Sequence, residues 1–353
     1  MATIEKNIMP PAEATEIVRS SFDDMNKQLP FSSVFPMQST GGEMLVTWTP
    51  ELPKKQVDSV LFRAPDAEAG YDKDVEYEAS AVTKLMLISK KSHVTEREIT
   101  DHPNDDTYLH GSFDKKITKI GREVALRMEG LRITALLDGK YPVAENGLNM
   151  TWDFHRPSSL QDVTPTKKWT TADATPIEDI KKWRKLIDAA QGRVPTAVLT
   201  TEAVMEALSK NKEIIMAATN RPAADIPPSV DYSDVKRVLA SRCGLLDIRV
   251  VDTMYTEIER ANGIILPFAV ETLIPDKTFI MFSSFNDINL GFTASGPTAE
   301  AQNAEYEINL PENEGLIAFV MSDNAPARYD MWVNGAMLPI LKQAVSTLKA
   351  DVL

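Results

Sequence analysis

Between residues 112 and 138 apolar side chains recur in steps of four and three: Phe113, Ile117, Ile120, Val124, Met128, Leu131 and Ala135. One continuous stripe of this kind predicts an amphipathic helix over 112–138. At 1.5 Å per residue it would run roughly 40 Å, longer than the three or four turns usual in globular domains, so something must lie along its whole length. Gly139 follows where helices commonly end in a left-handed residue. The pattern then changes to alternation: 141–143, an Asn146-Gly147 turn, and Leu148, Met150, Trp152 and Phe154 spaced by polar residues predict a β-hairpin.

Upstream, Met44, Val46 and Trp48 alternate with Leu45, Thr47 and Thr49, and a second apolar run covers 82–88. These two runs fit the strands of a long hairpin. Between them lies an acidic stretch with Asp66, Glu68, Asp72, Asp74, Glu76 and Glu78, opposed mainly by Lys73, which reads first as a solvated loop tip. Residues 1 to 40 carry scattered apolar residues (Ile17, Val18, Phe22, Phe31, Phe35) and Pro10, Pro11, Pro30 and Pro36, and they read as an arm that docks elsewhere.

After a polar connector over 162–173, helices and short strands alternate. Thr175-Pro176-Ile177-Glu178 has the form of a capping box with proline at the first helical position, so a helix is expected over 176–190. Strands are expected at 196–199, 248–252, 278–282 and 291–294, and helices at 202–209 and 231–242, the latter stopped at Gly244. The last forty residues return to strand pattern at 316–321 and 329–333 before a tail interrupted by Pro339. No internal repeat is visible.

Composition adds little by itself. At 353 residues, with 43% hydrophobic and 25% charged residues, the chain is long enough for one large or two moderate domains of ordinary globular type. The longest apolar stretch, 263–274, contains Pro267 and Glu271 and falls short of the ~20 residues that span a bilayer. The N-terminus lacks a basic leader and apolar core, so the expectation is a protein that stays in the cytoplasm where it is made, with no membrane partner. A net charge of -13 argues against a dedicated nucleic-acid binder and leaves room only for weak, local DNA contact.

Candidate chemistry is thin. No glycine-rich phosphate loop, serine elbow or paired-histidine zinc pattern occurs. His93, His102 and His110 lie close in sequence, with His155 further on, but they meet no local metal-ligand spacing. Asp101, Asp105 and Asp106 lack the glycine and closing glutamate of a calcium loop. The lone Cys243 reads as a buried structural thiol. Asn149-Met150-Thr151 fits a glycosylation triplet that a cytoplasmic chain would never have modified.

One long hairpin, one very long helix, a second hairpin and then an α/β segment make little sense for a monomer. The residues also resemble a known family. From Glu123 to Gly139-Lys140, through the 147–154 strand and Trp169, Pro176-Ile177, Asp179-Ile180 and Trp183, the chain is similar to the major capsid protein E family of tailed phages, which includes the lambda head protein. Gly192, Pro195-Thr196, Val198-Leu199, the run 273–276, Gly291, Arg328, Trp332 and Leu338-Pro339 extend the likeness over most of the chain, through their order and spacing.

The resemblance implies an α+β, Hong Kong 97-like phage capsid fold with an N-terminal arm, an extended β-hairpin loop, a peripheral domain with a long spine helix, and an α/β axial domain. On that reading the arm is 1–42, the extended loop 43–90, the peripheral domain 91–156 with the spine helix 112–138, the axial domain 157–312, and 313–353 returns to the peripheral domain. It implies no catalytic residue, cofactor or metal. It implies self-association into hexamers and pentamers of an icosahedral shell, a separate scaffolding protein, a portal, and in some cases a decoration protein. Trp48, Asp66, Glu68, Asp72 and Asp74 are then candidates for assembly contacts. Gly121 and Gly130, each costing about 1 kcal/mol inside a helix, are candidates either for close backbone packing or for letting the spine bend during maturation. Two other readings fit the residues less well: an encapsulin-like compartment, and an α/β enzyme using the His93 to His110 region.

Overall fold

The predicted stripe does fold as one buried helical face, and the helix is six residues longer at its start than the spacing suggests. The Asp105 carboxylate accepts from the Tyr108 N–H at 2.9 Å and caps a first turn that begins at Asp106. Gly139 closes the other end in the left-handed region, its N–H donating to the Ala135 carbonyl at 3.0 Å.

The computed structural model describes residues 3–49, 81–171, 173–190, 192–268, 273–308, 314–324 and 327–353. In order these form β1 (Thr3–Ile4), α1 (Pro11–Gln28), β2 (Met37–Ser39), β3 (Leu45–Trp48), β4 (Ala81–Lys84), β5 (Met86–Val94), α2 (Glu96–Asp101), α3 (Asp106–Asp138), β6 (Lys140–Glu145) and β7 (Leu148–Asp153). There follow α4 (Pro176–Ala189), β8 (Ala197–Thr200), α5 (Glu202–Ser209), α6 (Lys212–Thr219), α7 (Tyr232–Cys243), β9 (Asp247–Val250), α8 (Val251–Asn262), β10 (Thr278–Phe282) and β11 (Phe292–Gly296). The chain ends with α9 (Ala299–Gln302), β12 (Ile317–Asn324), β13 (Ala327–Ile340) and β14 (Thr347–Asp351).

Two sheets organise these elements. The first has the order β1-β12-β13-β11-β2, with β5 paired antiparallel along β13, and α1 and α3 pack against it. The second, β14-β10-β8-β9, is buried among α4, α5 and α7 around Trp169, Trp183 and Phe279, whose rings stack or meet edge to face at 5.1 to 6.2 Å. Two separate hairpins, β3–β4 and β6–β7, complete the ladders among the described residues.

Four expectations change. The N-terminal segment does not dock elsewhere: α1 lies on α3 of its own chain, burying Ala14, Val18, Phe22 and Met25, and Phe31, Val34 and Phe35 enter the same core. The prolines that suggested an arm bound this helix instead of breaking it, Pro11 at its first turn and Pro30 opening the following 3-10 turn. The Thr175 capping box does not form; the Ile177 N–H donates to the Glu213 carboxylate at 2.9 Å.

Pro339 does not interrupt a tail but sits inside β13, opposite Thr293, beyond the point where pairing with β5 ends at Met337. The closing segment also divides: β12 and β13 stay in the first sheet, whereas β14 crosses to the second, and β11, expected in the 157–312 unit, pairs with β13. The last strand therefore stitches the two units together.

Midway along α3, Glu129 and Arg132 are both fully buried, with Arg132 Nη1 3.5 Å from Glu129 Oε2. Glu129 Oε1 accepts from the Phe31 N–H and the Tyr255 hydroxyl, each at 3.0 Å. Arg132 donates to Asn26 Oδ1 at 2.7 Å and to the Thr293 hydroxyl at 3.0 Å. Burial pushes the Glu129 carboxyl up, against the opposing pull of Arg132 and these donors; burial likewise lowers Arg132, against the pull of Glu129.

At the C-terminal end of α3 the Arg156 guanidinium, lowered by burial to about 10, donates to the last-turn carbonyls of Leu136 and Leu137. Lys349 on β14 reaches Asp138 at 3.1 Å and Asp162 at 2.9 Å. Burial opposes both ionised forms, yet the mutual bonds hold Asp162 below and Lys349 above their ordinary ranges.

Two outcomes follow. Arg132→Met leaves the Glu129 charge buried without its counter-ion, and chemical denaturation should register a loss of about 3–5 kcal/mol; a loss below 1 kcal/mol would show the pair to be dispensable. Lys349→Met should cost about 1–3 kcal/mol, and the cost should be flat between about pH 5 and 9. Asp162, held low, contributes fully above its unfolded value of 3.8 and loses that contribution as pH falls below it; Lys349, held high, loses its contribution only above 10.5. A cost that varies across the neutral range would contradict this.

Candidate functional site

The histidines do not form a site. His110 Nε2 lies 2.9 Å from Glu13 on α1, the His102 ring stacks on Tyr108 at 3.5 Å, and His93 faces Asp330 across the β5–β13 ladder. Among the described residues no group of three or more His, Cys, Asp or Glu is arranged to hold a metal. Cys243 is buried at the end of α7, and burial pushes its thiol up to about 11, the opposite of an activated nucleophile. Among the described residues no helix is long and apolar enough to cross a membrane.

What the chain does present is a pair of hairpin ladders packed on each other. The β3–β4 strands pair in the predicted alternation, Val46 opposite Thr83 and Trp48 opposite Ala81 on the face turned inward, with Leu45 and Val82 exposed on the other. The run expected at 82–88 is shared between two elements: β4 completes this hairpin, and β5 leaves it to join the first sheet.

The inward face of β3–β4 rests on the second hairpin, whose Asn146-Gly147 turn has both residues at positive φ, 48° and 83°. The Trp152 indole N–H donates to the Thr83 hydroxyl at 3.0 Å, and the Trp48 ring lies 6.5 Å from Phe154. Tyr141 packs on both Trp152 and Phe154, at 5.6 and 5.7 Å, and its hydroxyl donates to the Pro339 carbonyl at 2.8 Å. Aromatic contacts thus run from Trp48 on β3 into β6–β7, and the Tyr141 hydroxyl links them to β13. Sequence reasoning selected Trp48 but missed its partner Phe154 and the Trp152 and Tyr141 contacts behind it, although all four residues occupy hairpin strands.

Asp66, Glu68, Asp72 and Asp74 lie outside the described residues. Gly121 faces α1: a Cβ there would lie 2.8 Å from the Val18 carbonyl oxygen and collide with the Ser21 hydroxyl, so close helix packing requires glycine at this point. Among the described residues Gly130 faces the Phe268 ring, with carbons at 3.7 and 3.8 Å from a Cβ built there, which is ordinary contact.

Comparison with known proteins agrees with this arrangement. Among curated proteins no sequence matches. Among solved structures, the protein assigned as the capsid protein of a prophage of Escherichia coli CFT073 aligns over 100% of both chains at 13% identity with a TM-score of 0.57. A phage-related protein of Bordetella bronchiseptica RB50 aligns over 95% of this chain and 96% of its own at 12% identity, TM-score 0.51. At such identities the likeness concerns the fold, which is the α+β, Hong Kong 97-like capsid fold. The sequence model for the phage major capsid protein E family matches residues 83–352, from β4 to the end of β14. This chain therefore belongs to the phage major capsid protein E family and is a structural protein of the phage head shell.

Proposed function

We propose that this chain assembles as hexamers and pentamers into the icosahedral head shell that encloses the double-stranded DNA of a tailed phage. The observation that carries this reading is the family match over 83–352, which takes in the spine helix, the second sheet and all of the first sheet except β1 and β2. The expected mechanism is self-association in place of catalysis. Of the loop expected at 43–90, whose β5 end pairs with β13 of its own chain, the part between β3 and β4 would lie over a neighbour, and such heterologous contacts close into rings. Repeated around a shell, many modest contacts give avidity without any single strong one.

Assembly in the host cytoplasm would need a separate scaffolding protein and a portal, with a decoration protein where the phage encodes one. The -13 charge suits a container that must hold DNA and release it, since a strongly basic lining would trap the genome; the DNA contact proposed is weak and non-specific. Bending of the spine during maturation remains proposed at Gly130, where among the described residues a Cβ would meet the Phe268 ring and no backbone; at Gly121 packing on α1 already accounts for the glycine.

Sedimentation and electron microscopy of the chain co-expressed with its scaffold should show closed particles that carry DNA when made in infected cells. A sharp monomer that stays monomeric with scaffold present would contradict the proposal, and particles loaded with a protein cargo would favour an encapsulin-like compartment. The two glycines should also separate. Gly121→Ala should destabilise the subunit by about 1–3 kcal/mol through overpacking, whereas Gly130→Ala should be neutral or stabilising by up to about 1 kcal/mol and slow shell expansion; unchanged expansion kinetics in Gly130→Ala shells would remove the bending role.

A further inference from the structure

The short strap that follows α8 holds an isoleucine out in water. Gly263 ends the helix in the left-handed region at φ 60°, the Ile264 N–H donates back to the Glu259 carbonyl at 3.2 Å, and the Leu266 N–H donates to the Glu259 carboxylate at 2.9 Å. Leu266 turns into the core and Ile264 packs against it. Ile265, between them, is 91% exposed. Hydrogen bonds on both sides fix that orientation, so the fold itself sets the exposure.

Between this strap and α3 runs a groove of about 570 Å³. It is lined by Leu126, Ile265 and Pro267 and by three exposed cations of α3 at steps of four and three, Lys115, Lys119 and Arg122. From Lys115 to Leu126 the helix covers about 16 Å, three turns. Other cations along α3 are paired: Lys116 with Glu98 at 3.1 Å, Lys90 of β5 with Glu123 at 2.7 Å, and Arg127 with Glu145 at 2.5 Å. Among the described residues Lys115, Lys119 and Arg122 have no ion-pair partner. Of the carboxylates on the groove, Glu123 is the one held by Lys90, and Asp114 accepts from the Thr118 hydroxyl at 3.3 Å. Like charges four residues apart weaken a helix, and here they persist on a chain whose net charge is -13.

An apolar strip flanked by cations fits an occupant with the reverse pattern. A phosphate backbone would have nothing to bury against Ile265. An extended peptide would need a free sheet edge, which α3 does not offer. A second copy brings acidic helices, α1 and α8, but their apolar faces are already buried, through Val18 and Phe22 in the first and Val251 and Tyr255 in the second.

We infer that this groove docks an acidic amphipathic helix of a partner protein, its apolar stripe on Ile265, Pro267 and Leu126 and its carboxylates against Lys115, Lys119 and Arg122. The partner's identity rests on the shell-forming role proposed above, under which it is the scaffolding protein. Burial of Ile265 supplies the contact energy. The cations supply attraction and register, and that part weakens with salt.

The test uses the full chain and a synthetic helical peptide of about five turns, with leucine along one stripe and glutamate elsewhere. Fluorescence anisotropy should show binding that weakens as salt is raised and is lost when lysine replaces the glutamates. Ile265→Ser and Lys115→Gln/Lys119→Gln should each weaken binding at least about tenfold while circular dichroism and melting stay those of the wild type. Lys236→Glu, on the exposed side of α7, changes the net charge as much as the double variant and should leave affinity unchanged. Co-expressed with the scaffold, the two groove variants should give fewer closed particles than the wild type. No binding of the peptide to the wild-type chain, equal affinity in both groove variants, or wild-type particle yields from both would overturn the docking site. Tighter binding of a DNA duplex that the same variants lose, or self-association of the wild-type chain that Ile265→Ser abolishes, would overturn it in favour of nucleic acid or a second copy. Absence of particles from the wild-type chain with its scaffold would overturn the capsid reading instead, because the peptide titration does not depend on assembly.

Discussion

The buried Glu129–Arg132 pair is the constraint on which the rest of the subunit depends. Two charges withdrawn from water cost several kcal/mol each unless their remaining donors and acceptors are satisfied. Here partner groups come from the N-terminal segment (Asn26 and Phe31), from α8 (Tyr255) and from β11 (Thr293), all converging on one turn of α3, while Glu129 Oε2 has the Arg132 guanidinium at 3.5 Å in place of a hydrogen bond. Moving any of these elements away would take one hydrogen-bond partner from a buried charge. A well-packed apolar core could match the pair in stability; what it would lack is this discrimination among arrangements, in which each element has one place to be.

With α1, α3 and the first sheet tied together in this way, and β14 stitching the second sheet to the end of the spine through Lys349, the body of the subunit is a fixed block. Under the shell-forming role proposed above, other copies would contact both this block and the elements that stand apart from its two sheets. The β3–β4 hairpin is the clearest such element, seated on the aromatic face of β6–β7. A well-tied body carrying a separate two-stranded ladder on its β6–β7 hairpin is a geometry compatible with repeated heterologous contact. That is the physical content of belonging to a capsid family, and it needs no convergent catalytic groups.

Much of this was legible in the residues, wherever a local signal is strong. The four-three stripe of α3, the Asn146-Gly147 turn, Pro176 at the start of α4 and Gly244 after α7 each follow from chain stereochemistry over a few residues. Long-range decisions were not legible. Nothing local distinguishes prolines that bound α1 from prolines that mark an arm, nor shows that β13 continues through Pro339 because its neighbour β5 has already ended. The capping box expected at Thr175 is displaced by Glu213 from another helix, while an equivalent box forms unremarked at Thr95 and Glu98.

Glu129 and Arg132 passed unnoticed because charges on a helix read as its solvated side. Their signal was present: both flank Met128 and Leu131 on the buried face, three residues apart, where an unpaired charge could not remain. Of the candidate assembly residues, Trp48 proved to sit at the root of the projecting hairpin, and Gly121 proved to be a packing glycine. The fold class came from the family resemblance more than from any single element.

The most direct measurement is a cryo-electron microscopy reconstruction of assembled particles. The account predicts a closed shell in which each subunit keeps its own α1 on its own α3, with the Glu129–Arg132 pair buried, and in which residues 50–80 reach across to a neighbouring copy. A reconstruction in which α1 is exchanged between subunits, or in which residues 50–80 fold back on their own body and make no contact with a neighbour, would contradict it.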